Sequence, residues 1–170
     1  MKKPLTLAVV AGLVLFFAQT AVAADGGAEL SLFGNYICTN LGGDLSGKAD
    51  NVGAGLGLST FISDTTSIGI QGLISWGNDF DLYSSAVNMK YHFGSPGEMR
   101  PYVGALAGYA CAEDKGHSDG CIWGPLAGVR WTLCPGTDMF AEYQYNMYGT
   151  HLSSSFDEAS VVLIGLIWQY

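Results

Sequence analysis

Residues 138–147 read Asp138-Met139-Phe140-Ala141-Glu142-Tyr143-Gln144-Tyr145-Asn146-Met147. Met139, Ala141, Tyr143, Tyr145 and Met147 fall on one face of an extended chain. Asp138, Glu142, Gln144 and Asn146 fall on the other. A period of two belongs to a β-strand, whereas a helix would scatter both sets around its axis. The same alternation runs to the carboxy-terminus, where Val162, Ile164, Leu166, Trp168 and Tyr170 oppose Leu163, Gly165, Ile167 and Gln169.

Working backwards, six more segments alternate in the same way. Trp123, Ala127, Val129, Trp131 and Leu133 oppose Gly124, Gly128, Arg130 and Thr132. Val103, Ala105, Ala107 and Tyr109 oppose Tyr102, Gly104, Leu106 and Gly108. Tyr83, Val87, Met89, Tyr91 and Phe93 oppose Ser84, Ala86, Asn88, Lys90 and His92. Ile68, Ile70, Ile74 and Trp76 oppose Ser67, Gly69, Gln71 and Ser75. Val52, Ala54, Leu56, Leu58 and Ile62 oppose Asn51, Gly53, Gly55, Gly57 and Ser59. Leu30, Leu32, Gly34 and Tyr36 oppose Glu29, Ser31, Phe33 and Asn35.

Eight such segments predict an all-β fold, an eight-stranded antiparallel up-and-down transmembrane β-barrel over residues 25–170. An even number of strands about ten residues long meets the requirement for spanning a bilayer. Closure satisfies every backbone polar group, which an open sheet in lipid cannot do. A soluble sandwich or lipocalin-like barrel would turn its apolar face inward. Here the small and polar face suits the narrow interior, because an eight-stranded barrel has room inside only for side chains. The apolar face carries Trp76, Tyr83, Trp123, Trp131, Tyr143, Tyr145, Trp168 and Tyr170, mostly toward segment ends, as the aromatic girdles at two membrane interfaces require.

Composition agrees. Of the 170 residues 49% are hydrophobic and only 13% charged, with mean hydropathy +0.25. Ordinary soluble domains carry roughly 25% charged residues. The chain is too apolar and aromatic for disorder. Its net charge of −8 leaves no basic cluster for nucleic acid.

Lys2 and Lys3, the apolar run Leu5–Ala18 and the small residues Ala21-Val22-Ala23 have the form of a secretory signal. The run is short for a span of about 20 residues. Residues 1–24 are therefore expected to be a cleaved signal peptide, and no lipid-modified cysteine is expected. The links between segments alternate in length: 40–50, 112–120 and 149–158 are long, while 63–65, 95–98 and 135–137 are short. Short periplasmic turns and longer outer loops place both barrel ends in the periplasm. The link 77–79 is a short exception.

The terminal run Val162, Ile164, Leu166, Trp168, Tyr170 resembles the end signature of bacterial outer-membrane barrels. So do Pro101-Tyr102-Val103-Gly104 and Ala141-Glu142-Tyr143-Gln144-Tyr145, which resemble the OmpA/OmpX-type barrel-domain families over essentially the whole mature chain. The resemblance implies an outer-membrane location among lipid and lipopolysaccharide. It also implies that the barrel-insertion machinery reads the terminal run. The peptidoglycan-binding domain of OmpA-type proteins is expected to be absent.

His151-Leu152-Ser153 with Glu158 resembles the His-x-Ser motif of eight-stranded lipid A deacylases, in which histidine activates serine and a carboxylate orients the histidine. The match is imperfect: Ser154 stands where asparagine usually follows, and Glu158 comes early. The expectation is a non-enzymatic barrel with a packed lumen, a structural or surface-interaction role and no cofactor. The esterase and a narrow passive ion pore are its alternatives. Gly53-x-Gly55-x-Gly57 lacks a following helix and the dinucleotide register. Glu113, Asp114 and Asp119 lack the spacing of a calcium loop. Cys38, Cys111, Cys121 and Cys134 have no zinc spacing either.

Two pairings are expected from register. Pairing Val103 with Val129 sets Cys111 opposite Cys121, within disulfide reach, with Cys38 and Cys134 not paired to each other. A three-residue hairpin loop Pro135-Gly136-Thr137 sets Arg130 opposite Glu142 on the inner face, as a lumen ion pair. Glu29, Lys90 and His92 also point inward.

Overall fold

The computed structural model describes residues 27–41, 47–95, 98–113, 117–149 and 156–170. Eight strands run in order: β1 (Ala28–Leu41), β2 (Gly47–Phe61), β3 (Thr66–Gly77), β4 (Asp81–His92), β5 (Arg100–Glu113), β6 (His117–Cys134), β7 (Thr137–Tyr148) and β8 (Phe156–Gln169). Each pairs antiparallel with its chain neighbours, and β1 pairs with β8 to close the barrel. The signal segment expected at 1–24 lies outside the described residues.

The two faces fall as the alternation requires. Val52 is 60% exposed, and Leu32, Leu56, Ile68, Trp76, Val87, Trp123, Tyr143 and Ile164 also stand on the outer wall. Phe33, Leu73, Leu106, Leu126, Phe140 and Leu163 fill the interior, with polar side chains layered between them. An outer wall of this kind is stable against hydrocarbon and not against water. The inner glycines make room for this packing: a Cβ on Gly55 would land on the Phe33 ring, and one on Gly53 on the backbone of Ile74 and Ser75.

Strands reach farther toward the loop end than the apolar alternation does. Asp50 still pairs with Cys38, and Asp119 with Cys111. Past the hydrocarbon, water replaces lipid and no longer selects apolar side chains, but the hydrogen-bond ladder continues.

Register corrects two expectations. Val103 pairs with Ala127, so Cys111 lies opposite Asp119 and Cys121 opposite Tyr109. The two cysteines are offset by two residues, and no disulfide joins them. At the β6–β7 hairpin the turn is only Pro135-Gly136, with Gly136 at φ 78°, and Cys134 pairs with Thr137. The ladder then shifts between Thr132 and Cys134, so Thr132 faces Asp138 and Arg130 faces Phe140. Glu142 sits opposite Gly128, not Arg130.

Candidate functional site

The inner face carries two charged networks. Arg130 projects from β6 near the end where β1 begins and β8 finishes, here called the termini end, and is 3% exposed. Its Nη2 donates to Glu29 Oε1 at 2.9 Å and its Nη1 to Glu29 Oε2 at 3.3 Å, across the lumen from β1. Its Nε donates to Asp138 Oδ2 at 2.9 Å, and Nη2 contacts the same carboxylate. Ser59 Oγ donates to Glu29 at 3.0 Å, and Gln169 Nε2 to Asp138 at 3.3 Å. One guanidinium thus ties β1, β6 and β7 together. Its planar fork makes such multiple bonding possible.

Glu142 centres the second network and is 2% exposed. It accepts from Lys90 Nζ at 2.5 Å, Tyr102 OH at 2.8 Å and Gln144 Nε2 at 2.6 Å. Gln71 joins it through Gln144 at 3.4 Å and accepts from Asn88 at 3.2 Å. The ion pair expected between Arg130 and Glu142 is therefore replaced by two separate groups, Arg130 with Glu29 and Asp138, and Lys90 with Glu142. All five charges were placed on the inner face by alternation. Their partners depend on register and on which strands meet across the lumen. Smaller links complete the packing: Ser75 Oγ donates to Asn35 at 2.5 Å, and Ser67 Oγ lies 2.9 Å from His92 Nε2.

Little space remains. A cavity of about 30 Å³ lies beside Ser31, Gln71, Asn88, Lys90 and Glu142, room for only a few waters when one needs about 10–15 Å³ of such space. A larger one, about 230 Å³, lies at the termini end beside Glu98, Arg100, Arg130, Thr132, Asp138 and Gln169. The two share no lining residue.

Of the expected esterase set, His151 and Ser153 lie outside the described residues. Glu158 lies on β8 and is held by Asn40 Nδ2 at 2.9 Å and by the Tyr145 hydroxyl. It shares its strand face with the lipid-facing Val162. Val162, Ile164, Leu166, Trp168 and Tyr170 occupy one outer face at the termini end. Arg100, which pattern reading did not single out, is buried at the start of β5, opposite Arg130. The signal for it is weak, because Arg100 stands one residue before the alternation becomes visible at Pro101.

Solved structures share this architecture, among them the following three. Neisserial surface protein A is 19% identical, with 84% of this chain and 97% of that chain covered at a TM-score of 0.72. Ail, the attachment invasion locus protein of Yersinia pestis, is 14% identical, with 86% and 100% covered at 0.60. The N-terminal β-barrel domain of OprF from Pseudomonas aeruginosa is 18% identical, with 85% and 98% covered at 0.58. No family model matches the sequence, and no curated protein does. The chain has the fold of the small eight-stranded outer-membrane barrels.

Proposed function

We propose that this chain is a non-enzymatic outer-membrane protein whose barrel is an anchor and whose loop-bearing end makes the functional contacts. The observation that carries this reading is the filled lumen. The Arg130 and Glu142 networks cross it, and the cavity beside Glu142 holds about 30 Å³. A plugged barrel offers no route for solutes, so interaction falls to the exposed ends. β1 begins and β8 ends at the side opposite the one where the strands run on past the apolar alternation, which supports a periplasmic position for that side. Val162, Ile164, Leu166, Trp168 and Tyr170 then serve as the signal read by the insertion machinery, and the outer wall contacts lipid and lipopolysaccharide.

Purified protein in planar bilayers is expected to give no stepwise conductance. Discrete channels that persist in pure preparations would favour the narrow-pore reading instead. Deleting the links at 42–46, 114–116 and 150–155 one at a time, and scoring adhesion of whole cells, locates the contact surface. Release of fatty acid from lipopolysaccharide, lost in His151→Ala and Ser153→Ala, would overturn the non-enzymatic assignment.

Ail has been crystallised with the heparin analogue sucrose octasulfate. The present chain carries Asp50, Asp81, Glu113, Asp119 and Glu158 against Lys48 among its described strand residues toward the loop end. Like charges repel a polyanion from such a surface. Cells displaying this barrel are therefore expected to show no retention on heparin at physiological ionic strength. Retention that salt reverses would contradict the charge argument.

A further inference from the structure

We infer that the 230 Å³ cavity at the termini end is a binding site for a small solute bearing one carboxylate or phosphate group, held by Arg100. Arg100 is 6% exposed and stands directly opposite Arg130 in the β5–β6 ladder. The two arginines are treated differently. Arg130 takes both neighbouring carboxylates, Glu29 and Asp138. Among the described residues Arg100 forms no ion pair. Its Nη2 donates to the backbone oxygen of Asp64 at 2.9 Å, and its guanidinium carbon lies 5.4 Å from the centre of the Phe61 ring. Its buried Nε has no partner.

A guanidinium carries five N–H donors and is always charged. One carbonyl and one ring face leave most of that capacity unused. A buried charge with no carboxylate in ion-pair contact is costly, and an arriving oxyanion lowers the cost. The carbonyl bond and the ring also hold the guanidinium in place, so little freedom is lost on binding. Two oxygens of a carboxylate or phosphate match the planar fork.

Arg100 lines a cavity able to receive such a group, and Thr132 and Gln169 are among the other residues that line it. Its volume of about 230 Å³ is many times the roughly 10–15 Å³ of such space that one water needs, and it admits a solute of a few heavy atoms. Glu98 and Asp138 also line it. Their charge disfavours a multiply charged anion and suits a singly charged one, or a zwitterion with an ammonium toward Glu98. With the orientation proposed above, the site opens to the periplasm; binding itself does not depend on that orientation.

The test follows the arginine Nε–Hε resonances of the ¹⁵N-labelled full-length barrel in detergent micelles. Acetate, glycine and inorganic phosphate are titrated separately, with chloride at matched ionic strength as reference. A saturable shift at Arg100 with acetate or glycine assigns a carboxylate ligand, and one with phosphate a phosphate ligand. Arg100→Lys, which keeps the charge and loses the fork, is followed at the Nε–Hε resonance of Arg130 on the same cavity, where wild type gives the reference response, and is expected to weaken that binding at least tenfold. Shifts that stay linear and equal to those with chloride in all three titrations overturn the site without recourse to any variant. An unchanged saturable response in a folded Arg100→Lys barrel overturns the role of Arg100.

Discussion

Arg130→Met is expected to lower the stability of the folded barrel by about 3–5 kcal/mol, the usual cost of removing one partner from a buried ion pair. The change leaves Glu29 and Asp138 inside the lumen without an ion-paired cation, since Arg130 is their only ion-pair partner among the described residues. Methionine fills much of the arginine's volume, so the loss reports charge and not a void. Adding Glu29→Gln and Asp138→Asn to Arg130→Met removes the stranded charges and is expected to restore most of the stability. Urea unfolding in micelles, with the folded fraction read from migration on unboiled gels, measures all three proteins. If the single variant matches wild type, or the triple variant is no better than the single, the Arg130 network contributes little. A parallel comparison, Glu142→Leu against Glu142→Leu with Lys90→Met, is expected to follow the same order with a smaller gap. Lys90 retains 19% side-chain exposure, and water relieves part of its charge.

Gly124→Ala is expected to cost more than the roughly 1–3 kcal/mol typical of an overpacked site. An added Cβ at Gly124 would fall on the carbonyl oxygen of Tyr145 and close to its carbon, so the obstacle is backbone of the adjoining strand and not a side chain that can rotate away. The β6–β7 ladder is already interrupted here: pairing is recorded at Trp123–Met147 and Leu126–Gln144 but not between them. Pro125 has no N–H to donate. Pushing the strands apart at this place weakens the wall where its ladder is already interrupted. Gly34→Ala is the control. It faces lipid, its added Cβ would come no nearer than 3.8 Å to the Gly53 oxygen, and its effect is expected to stay within about 1 kcal/mol. Equal folded yields for the two variants would show that the close approach at Gly124 is easily relieved.

The alternation of the eight segments is legible in the sequence because lipid outside and a narrow interior impose opposite demands on successive residues. A period of two with apolar residues on one side and Gly, Ser, Asn and Gln on the other leaves few architectures. Met139, Ala141 and Tyr143 can face outward only if Glu142 and Gln144 face inward. The same logic places Glu29, Lys90, Arg130, Asp138 and Glu142 in the lumen, since a charge at the lipid midplane costs about 2–4 kcal/mol for Arg or Lys. Strand ends at the loop side are less legible. Apolar patterning stops near Tyr36, Tyr109 and Trp123, but β1, β5 and β6 reach Leu41, Glu113 and His117. Backbone pairing needs only a neighbouring strand and persists where hydropathy no longer alternates.

Which charges meet is decided by tertiary structure. Register across the β6–β7 hairpin depends on a two-residue turn and on an irregularity between Thr132 and Cys134 that moves Arg130 from Glu142 to Phe140. The offset of Cys111 from Cys121 follows from the unbroken register of the β5–β6 ladder, which pairs Val103 with Ala127. The partnership of Arg130 with Glu29 spans 101 positions and crosses the lumen from β6 to β1. No local pattern encodes it. Sequence alone determines that these side chains share the interior; their partners are set only when β1 meets β8 and the stagger of the strands brings distant residues to one height.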